Sequence, residues 1–377
     1  MDHEIDLLRD IKSIAYFIEH STDRRSVSLK LSDFFFRTKR LENIISVSET
    51  QKPIIERLLN RDLGLVDKKY LAGSRVSAVR KGLEVLNKIK EKGINLENYG
   101  FINLGGGNGT ELFTELMYSK VNYGILMEYD FESVNQFSDK QVSFYLENSN
   151  RSDLKTDVIE CDLLDREKMK VAKTLIREKK LNGIVVTIHA VLHELSKRSP
   201  YKFDMEVLFK RIYELHDNII FIIREPGIAE NWPEEVYISV GDEHRKRFAE
   251  IVEDINARHF NGTPDNFEPF EDGTIRCIKD LAVEALTKLF YDEDYDYEKR
   301  EQITSVSMGK ITKALHASGF KKIDPEPFYT DSLKTNFDHF NVEFKGKDQE
   351  TLPKPQCFTY TIASKGIHTP VPESTTS

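Results

Sequence analysis

The stretch Ile102-Asn103-Leu104-Gly105-Gly106-Gly107-Asn108-Gly109-Thr110 decides the fold. A short apolar run, Phe101–Gly105, leads into it, and a helix-like stretch, Thr110–Ser119, leaves it, so its glycines fall at a strand-to-helix junction. Glycine there lets the backbone turn sharply and approach a ligand closely, while the N–H groups opening the next helix attract an anion. The GxGxG spacing stops short of the GxGxxG dinucleotide fingerprint, because Thr110 stands where the third glycine is expected.

Outward from this turn the same alternation repeats. Apolar runs rich in Ile, Val and Phe occur at Tyr123–Asp130, Asp157–Cys161, Gly183–His189 and Asn218–Glu225, with helix-like segments such as Met205–Leu215 between them. Near-continuous apolar strands alternating with helices predict a parallel sheet covered on both faces, an α/β doubly wound domain. After the fifth strand the alternation stops over Pro226–Gln302, where Trp232, helix-like Glu243–Ala257 and Ile278–Phe290 and a turn-rich NGTPDNFEPFEDG suggest an inserted cap or substrate wall. Its aromatic residues are expected to pack a small core, and the acidic Tyr291–Glu298 to form a solvated loop. A helix over Ile303–Ser318 then precedes two strands, Phe320–Phe328 and Cys357–Ser364. Their connection shows no obvious crossover helix, which predicts an antiparallel pair at the sheet edge.

Upstream, apolar residues recur at helical spacing in Ile5–Ile18, Leu31–Ile45, Ile54–Leu59 and Val76–Ile89, so residues 1–95 read as a helical N-terminal region. Residues 96–366 form the α/β domain, with 226–302 inserted, and 367–377 read as a disordered tail.

Composition narrows the setting. The 377 residues carry a net charge of −9, and 39% are hydrophobic. No apolar run approaches the ~20 residues of a membrane span. Residues 1–100 hold 19 Lys and Arg against 15 Asp and Glu, and the remainder 35 against 48. An acidic body does not attract nucleic acid broadly, although Arg24 to Arg40 is basic enough to touch phosphate. Cys161, Cys277 and Cys357 are odd in number and far apart, which offers neither a disulfide framework nor a CxxC metal site. With an acidic start that lacks a signal-like apolar stretch, a cytoplasmic setting is expected.

Acidic residues mark the next strand ends. Glu128, twenty-three residues after Gly105, stands where a carboxylate accepts hydrogen bonds from two ribose hydroxyls, and Asp130 competes for that role. Asp162, closing the third strand in VIECDLL, is placed to accept from an adenine amine. His189 and His193 flank the end of the fourth strand in HAVLHE, a pattern that is not HExxH, so no metal is expected. His193 reads as a cleft histidine that orients or deprotonates an acceptor, or as a packed one. Glu225, in REPG at the fifth strand's end, is able to hydrogen-bond an acceptor or pair with Arg224.

Over about residues 95–366 the sequence resembles the class I S-adenosylmethionine-dependent methyltransferases. INLGGGNG is similar to that family's glycine-rich first motif, LMEYD to its acidic second-strand end, IECDLL to its adenine-side acid and TIHAVLHEL to its fourth strand. The two late strands fit the family's antiparallel seventh strand, which dehydrogenases lack. Asn103 stands where the family usually has Asp or Glu. The resemblance implies S-adenosylmethionine as cofactor, held by Asn103, Gly105, Gly107, Gly109, Glu128, Asp130, Asp162 and His189; His193 and Glu225, from their places at strand ends, are the candidate catalytic residues. It implies methyl transfer to an oxygen or nitrogen of an unnamed acceptor. A nicotinamide-dependent oxidoreductase and a non-catalytic cofactor-binding module are the other two readings of the same residues.

Overall fold

The computed structural model describes residues 67–147, 153–198, 203–289, 295, 299–300, 302–328 and 331–366. The helices expected within residues 1–66, the basic stretch 24–40, the tail 367–377 and most of the acidic run 291–298 lie outside the described residues. Among the described residues the principal sheet has seven strands and a second sheet has four. The chain separates into two compact units, with the boundary between Cys161 and Asp162.

The first unit runs α1 (Asp67–Glu91), β1 (Tyr99–Leu104), α2 (Thr110–Tyr118), β2 (Tyr123–Glu128), α3 (Phe131–Glu147) and β3 (Lys155–Glu160). β1 and β2 are buried along their whole length, as near-continuous apolar runs require. All three strands are parallel, with Asn103 in register with Leu126 and Glu128 with Glu160. Helix α1 buries Val79, Val85 and Ile89 and packs on α2. The two helices meet at Gly82, where an added Cβ would stand 3.0 Å from both the Glu111 carbonyl and Thr114.

The second unit continues with α4 (Arg166–Lys179), β4 (Gly183–His189), α5 (Leu192–Arg198), α6 (Met205–Tyr213) and β5 (Ile219–Pro226). Asp165 and Asp204 cap α4 and α6, each accepting two backbone N–H bonds. β4 and β5 are parallel, with His189 opposite Arg224. After α9 (Met308–Ser318), stopped by Gly319 at φ 106°, come β9 (Lys322–Phe328) and β11 (Phe358–Lys365). β11 lies antiparallel to both β5 and β9, as expected for the late pair. Pro325 and Pro327 fall in β9, the edge strand, where a missing N–H costs least.

The excursion after β5 folds on a core of its own. It comprises β6 (Glu235–Ser239), α7 (Arg245–His259), β7 (Phe267–Pro269), β8 (Ile275–Ile278) and α8 (Lys279–Leu289). Trp232, Phe248, Ile255, Leu281 and Leu286 are buried together there. Two further elements, α10 (Asp331–His339) and β10 (Glu343–Lys345), occupy the connection between β9 and β11, where the sequence showed no obvious crossover helix. They do not cross the principal sheet. Leu333, Phe337 and Phe344 instead join the same core, and β10 pairs with β6. Among the described residues no helix is long and apolar enough to cross a membrane.

Candidate cofactor turn and acid–base pair

In the first unit the backbone turns left-handed at Gly105, Gly107 and Gly109, with φ of 66°, 55° and 73°. These glycines serve different ends. A Cβ on Gly109 would stand 2.2 Å from the Phe137 ring, which stacks on Phe113 at 4.9 Å, so Gly109 is demanded by packing. A Cβ on Gly107 would meet no atom within 4 Å, so the turn presents bare backbone to open space there. Gly106 is demanded by Asn103, whose Oδ1 would stand 1.7 Å from an added Cβ.

Glu128 holds the turn. Its Oε2 accepts from Gly107 N–H at 2.7 Å, and its Oε1 accepts from Tyr129 and Asp130 N–H at 2.9 and 3.0 Å. A carboxylate offers about four lone-pair sites. Three are engaged, and the group stays an acceptor for a further donor. Asp130 takes another part: its Oδ2 accepts from Ser133 N–H at 2.8 Å, which fixes the first turn of α3. Asn103 is buried at the end of β1 and donates through Nδ2 to Glu111 Oε1 at 2.9 Å. An acid absent at 103 is thus present eight residues later.

One turn further along α2, Glu115 is fully buried, and neither carboxyl oxygen has a hydrogen-bond partner. Burial, and then the neighbouring Glu111 carboxylate, push its pKa well above the ordinary glutamate range.

In the second unit His193 and Glu225, singled out separately in the sequence, lie side by side. Glu225, wholly buried near the end of β5, accepts from Val191 and Leu192 N–H through Oε1, at 2.7 and 2.8 Å. Its Oε2 lies 2.8 Å from His193 Nδ1. One carboxylate therefore anchors the start of α5 and orients the imidazole it carries, a geometry that favours the proton on Nδ1. The alternative Arg224–Glu225 pair is not formed: Arg224 lies over the rings of Phe328 and Phe358, at 5.5 and 5.3 Å.

His189 ends β4 on a strand, edge-on to Tyr360 at 6.2 Å, so it does not share a helix face with His193. The chain turns between them through Ala190 at φ 58°, whose N–H bonds the Arg224 carbonyl at 2.8 Å. Asp162 is exposed, and its Oδ1 accepts from Leu164 N–H at 2.8 Å. Among the described residues no three His, Cys, Asp or Glu side chains are placed to hold a metal.

Besides Glu111 and Glu115 in α2, two buried charged residues, Glu284 and Lys288, escaped sequence reading. Glu284 in α8 is fully buried, with Oε1 accepting from Thr304 N–H at 2.6 Å and Thr304 Oγ1 at 3.0 Å. Lys288, one turn on, is buried with it. In the sequence both read as ordinary helix-surface charges, and only their neighbours in space reveal otherwise.

No protein-family model matches this chain, and no curated protein matches it. Solved structures do. An S-adenosylmethionine-dependent methyltransferase from Clostridium acetobutylicum ATCC 824 is 12% identical over 76% of this chain and 91% of its own, with a TM-score of 0.35. The plantazolicin methyltransferase BamL, solved with a triazolic desmethylPZN analog and SAH, is 10% identical over 91% and 99%, with a TM-score of 0.40. The glycopeptide N-methyltransferase MtfA, solved with S-adenosylmethionine, is 9% identical over 76% and 93%, with a TM-score of 0.36.

Proposed function

We propose that this chain is an S-adenosylmethionine-dependent methyltransferase acting on an oxygen or nitrogen of its acceptor. The observation that carries the reading is the turn after β1, with bare backbone at Gly107 tied by its N–H to the Glu128 carboxylate at the end of β2. Such a turn suits a ligand that combines a compact polar end with a ribose. The antiparallel β11 between β5 and β9 supports this reading over a nicotinamide-dependent one, as does Thr110 in place of the third fingerprint glycine.

Gly105, Gly107 and Gly109 would admit the methionine portion of the cofactor, with Asn103 and His189 near the ends of their strands. Glu128 would accept from the ribose, in preference to Asp130, and Asp162 from the adenine amine. S-adenosylmethionine supplies, when bound, a methyl group already activated by a sulfonium. What remains for the chain is to align the acceptor, exclude water and accept a proton where the acceptor atom needs to lose one. His193 is the base in this proposal. Glu225 keeps the Nδ1 proton in place and stabilises the imidazolium that forms when Nε2 takes up the acceptor's proton.

Calorimetric titration with S-adenosylhomocysteine and, separately, NADH tests the cofactor. Tight binding of the first and none of the second is expected; the reverse would overturn the reading. Radiolabelled S-adenosylmethionine incubated with RNA, protein and small-molecule fractions then reads the acceptor class.

A further inference from the structure

The turn after β1 is gripped residue by residue from the segment that follows it in the sheet. Gly107 is held by Glu128 at the end of β2. The next three residues are each met by one residue of α3. Asn108 donates through Nδ2 to Gln136 Oε1 at 3.3 Å, Gly109 lies where a Cβ would strike the Phe137 ring, and Thr110 Oγ1 accepts from Lys140 Nζ at 2.7 Å. Gln136 and Lys140 are four residues apart on one helix and so share a face of it, with Phe137 beside them.

Thr110 stands in place of the third fingerprint glycine, and its hydroxyl does what no glycine could. It donates to Asn108 Oδ1 at 2.7 Å. A lysine ammonium only donates, and a threonine hydroxyl has a single proton. With Lys140 donating to Thr110, the hydroxyl proton is left for Asn108 Oδ1, and the Asn108 amide turns its N–H group toward Gln136. Asn108 lies between the bare Gly107 and the packed Gly109, and it is pinned on both sides of its amide by a chain of bonds that starts at Lys140.

We propose that Lys140 is a positioning residue for the cofactor turn, acting through Thr110 and Asn108 to hold Gly107 and Gly109 in their left-handed conformations before the cofactor arrives. The proposal rests on the reading of this turn as the S-adenosylmethionine site. A turn already held in its binding shape spares the ligand the entropy of ordering it, so the gain is read as affinity. Lys140 works from the α3 side of the turn, through two side chains, and contacts no part of the cofactor.

Amide exchange in the full chain without ligand, followed in nitrogen-15 spectra, reads the turn separately from the cofactor. Lys140→Met keeps the length of the side chain and removes the donor. Exchange at Gly109, whose N–H bonds Gly106 O at 3.1 Å, is expected to accelerate at least tenfold. Exchange at Val134, whose N–H bonds Asp130 O at 3.0 Å in the first turn of α3, is expected to stay within about twofold. In calorimetry S-adenosylhomocysteine should bind about tenfold more weakly to this variant, and Lys140→Arg, which keeps a donor for Thr110, should recover most of the loss. Unaltered exchange at Gly109 in the folded Lys140→Met variant overturns the proposal. Equal acceleration at both amides does so too, since Lys140 would then support the whole unit rather than the turn, as does a loss of affinity that arginine fails to recover. Should Lys140→Met not fold, Thr110→Val and Thr110→Ser differ in the hydroxyl alone among polar groups: faster exchange at Gly109 in the valine variant only is expected, and equal exchange in the two overturns the proposal. If the unmodified protein does not bind S-adenosylhomocysteine, the cofactor reading falls, while exchange at Gly109 still decides whether Lys140 fixes the turn.

Discussion

Gly107 donates its backbone N–H to Glu128 Oε2 at 2.7 Å, and this single bond ties the turn after β1 to the end of β2. The glutamate therefore shapes the turn as well as serving, in the proposed reading, as the acceptor for a ribose. Glu128→Ala removes the acceptor and frees the Gly107, Tyr129 and Asp130 amides, and it should weaken S-adenosylhomocysteine by about 2 kcal/mol. Asp130→Ala removes the cap of α3 and should cost ~1 kcal/mol of stability with affinity nearly unchanged. Calorimetry beside thermal melts separates the two, and a larger affinity loss in Asp130→Ala would reassign the ribose role.

The glycines of the turn should part company in the same way. Gly107→Ala strains a left-handed backbone but meets no neighbour, so a loss of about 1 kcal/mol of stability is expected, with the melting shift from S-adenosylhomocysteine abolished. Gly109→Ala drives a methyl into Phe137 and should destabilise the protein by more than that even without ligand. Equal effects on stability would contradict the open position assigned to Gly107.

The strands of the principal sheet were legible because buried parallel strands leave runs such as Ile219–Ile223 that no other element explains. The turn was legible because positive φ asks for glycine. The second sheet was not. β7 and β10 have three residues each and β8 four, too few for an alternation to register, and β10 reaches β6 from a hundred residues away. Trp232 and Phe248 were legible as core, but not that Phe337 and Phe344 complete it. In the candidate site, Glu225 and His193 were visible as acid and base at strand ends. Their 2.8 Å contact depends on α5 turning back immediately after β4, and Ala190's left-handed backbone carries no signature in its residue type. Glu115 and Glu284 were invisible for a simpler reason: whether a helical glutamate is buried depends on what packs against it.

Glu115 predicts a pH dependence. Its carboxyl is held protonated in the fold, above the ordinary glutamate range, by burial and by Glu111. Above the unfolded-state pKa the unfolded chain releases this proton and the folded one keeps it, so the unfolded state binds fewer protons and stability falls as pH rises. The contribution is complete below the ordinary glutamate range and is lost as pH climbs through the folded pKa. Glu284, raised chiefly by burial, adds in the same direction. Melting temperatures from pH 4.5 to 8 should decline less steeply in Glu115→Gln than in the unmodified protein, with the variant the more stable at pH 8. Parallel curves would show that Glu115 is ionised in the fold.

The last prediction concerns Glu225, where stability and chemistry share one side chain. Its carboxylate accepts from Val191 and Leu192 N–H and faces His193 Nδ1, all within 2.8 Å and out of reach of water. Glu225→Ala would leave buried donors without an acceptor at a cost of ~1–3 kcal/mol each, enough to melt α5 or the whole unit. Glu225→Gln is more informative. Its oxygen still serves the two amides, while its amide group turns toward Nδ1 as a donor. The neutral imidazole then has to present a lone pair at Nδ1 and carry its proton on Nε2, the wrong tautomer for a base acting through Nε2. A fold intact by circular dichroism, S-adenosylhomocysteine affinity within about twofold and methyl transfer reduced on the order of 10²-fold are the expected results once an acceptor is in hand. Nitrogen-15 spectra of His193 check the tautomer directly. If the ring keeps its proton on Nδ1 in this variant, Glu225 is not what orients it, and the catalytic role assigned to the pair fails.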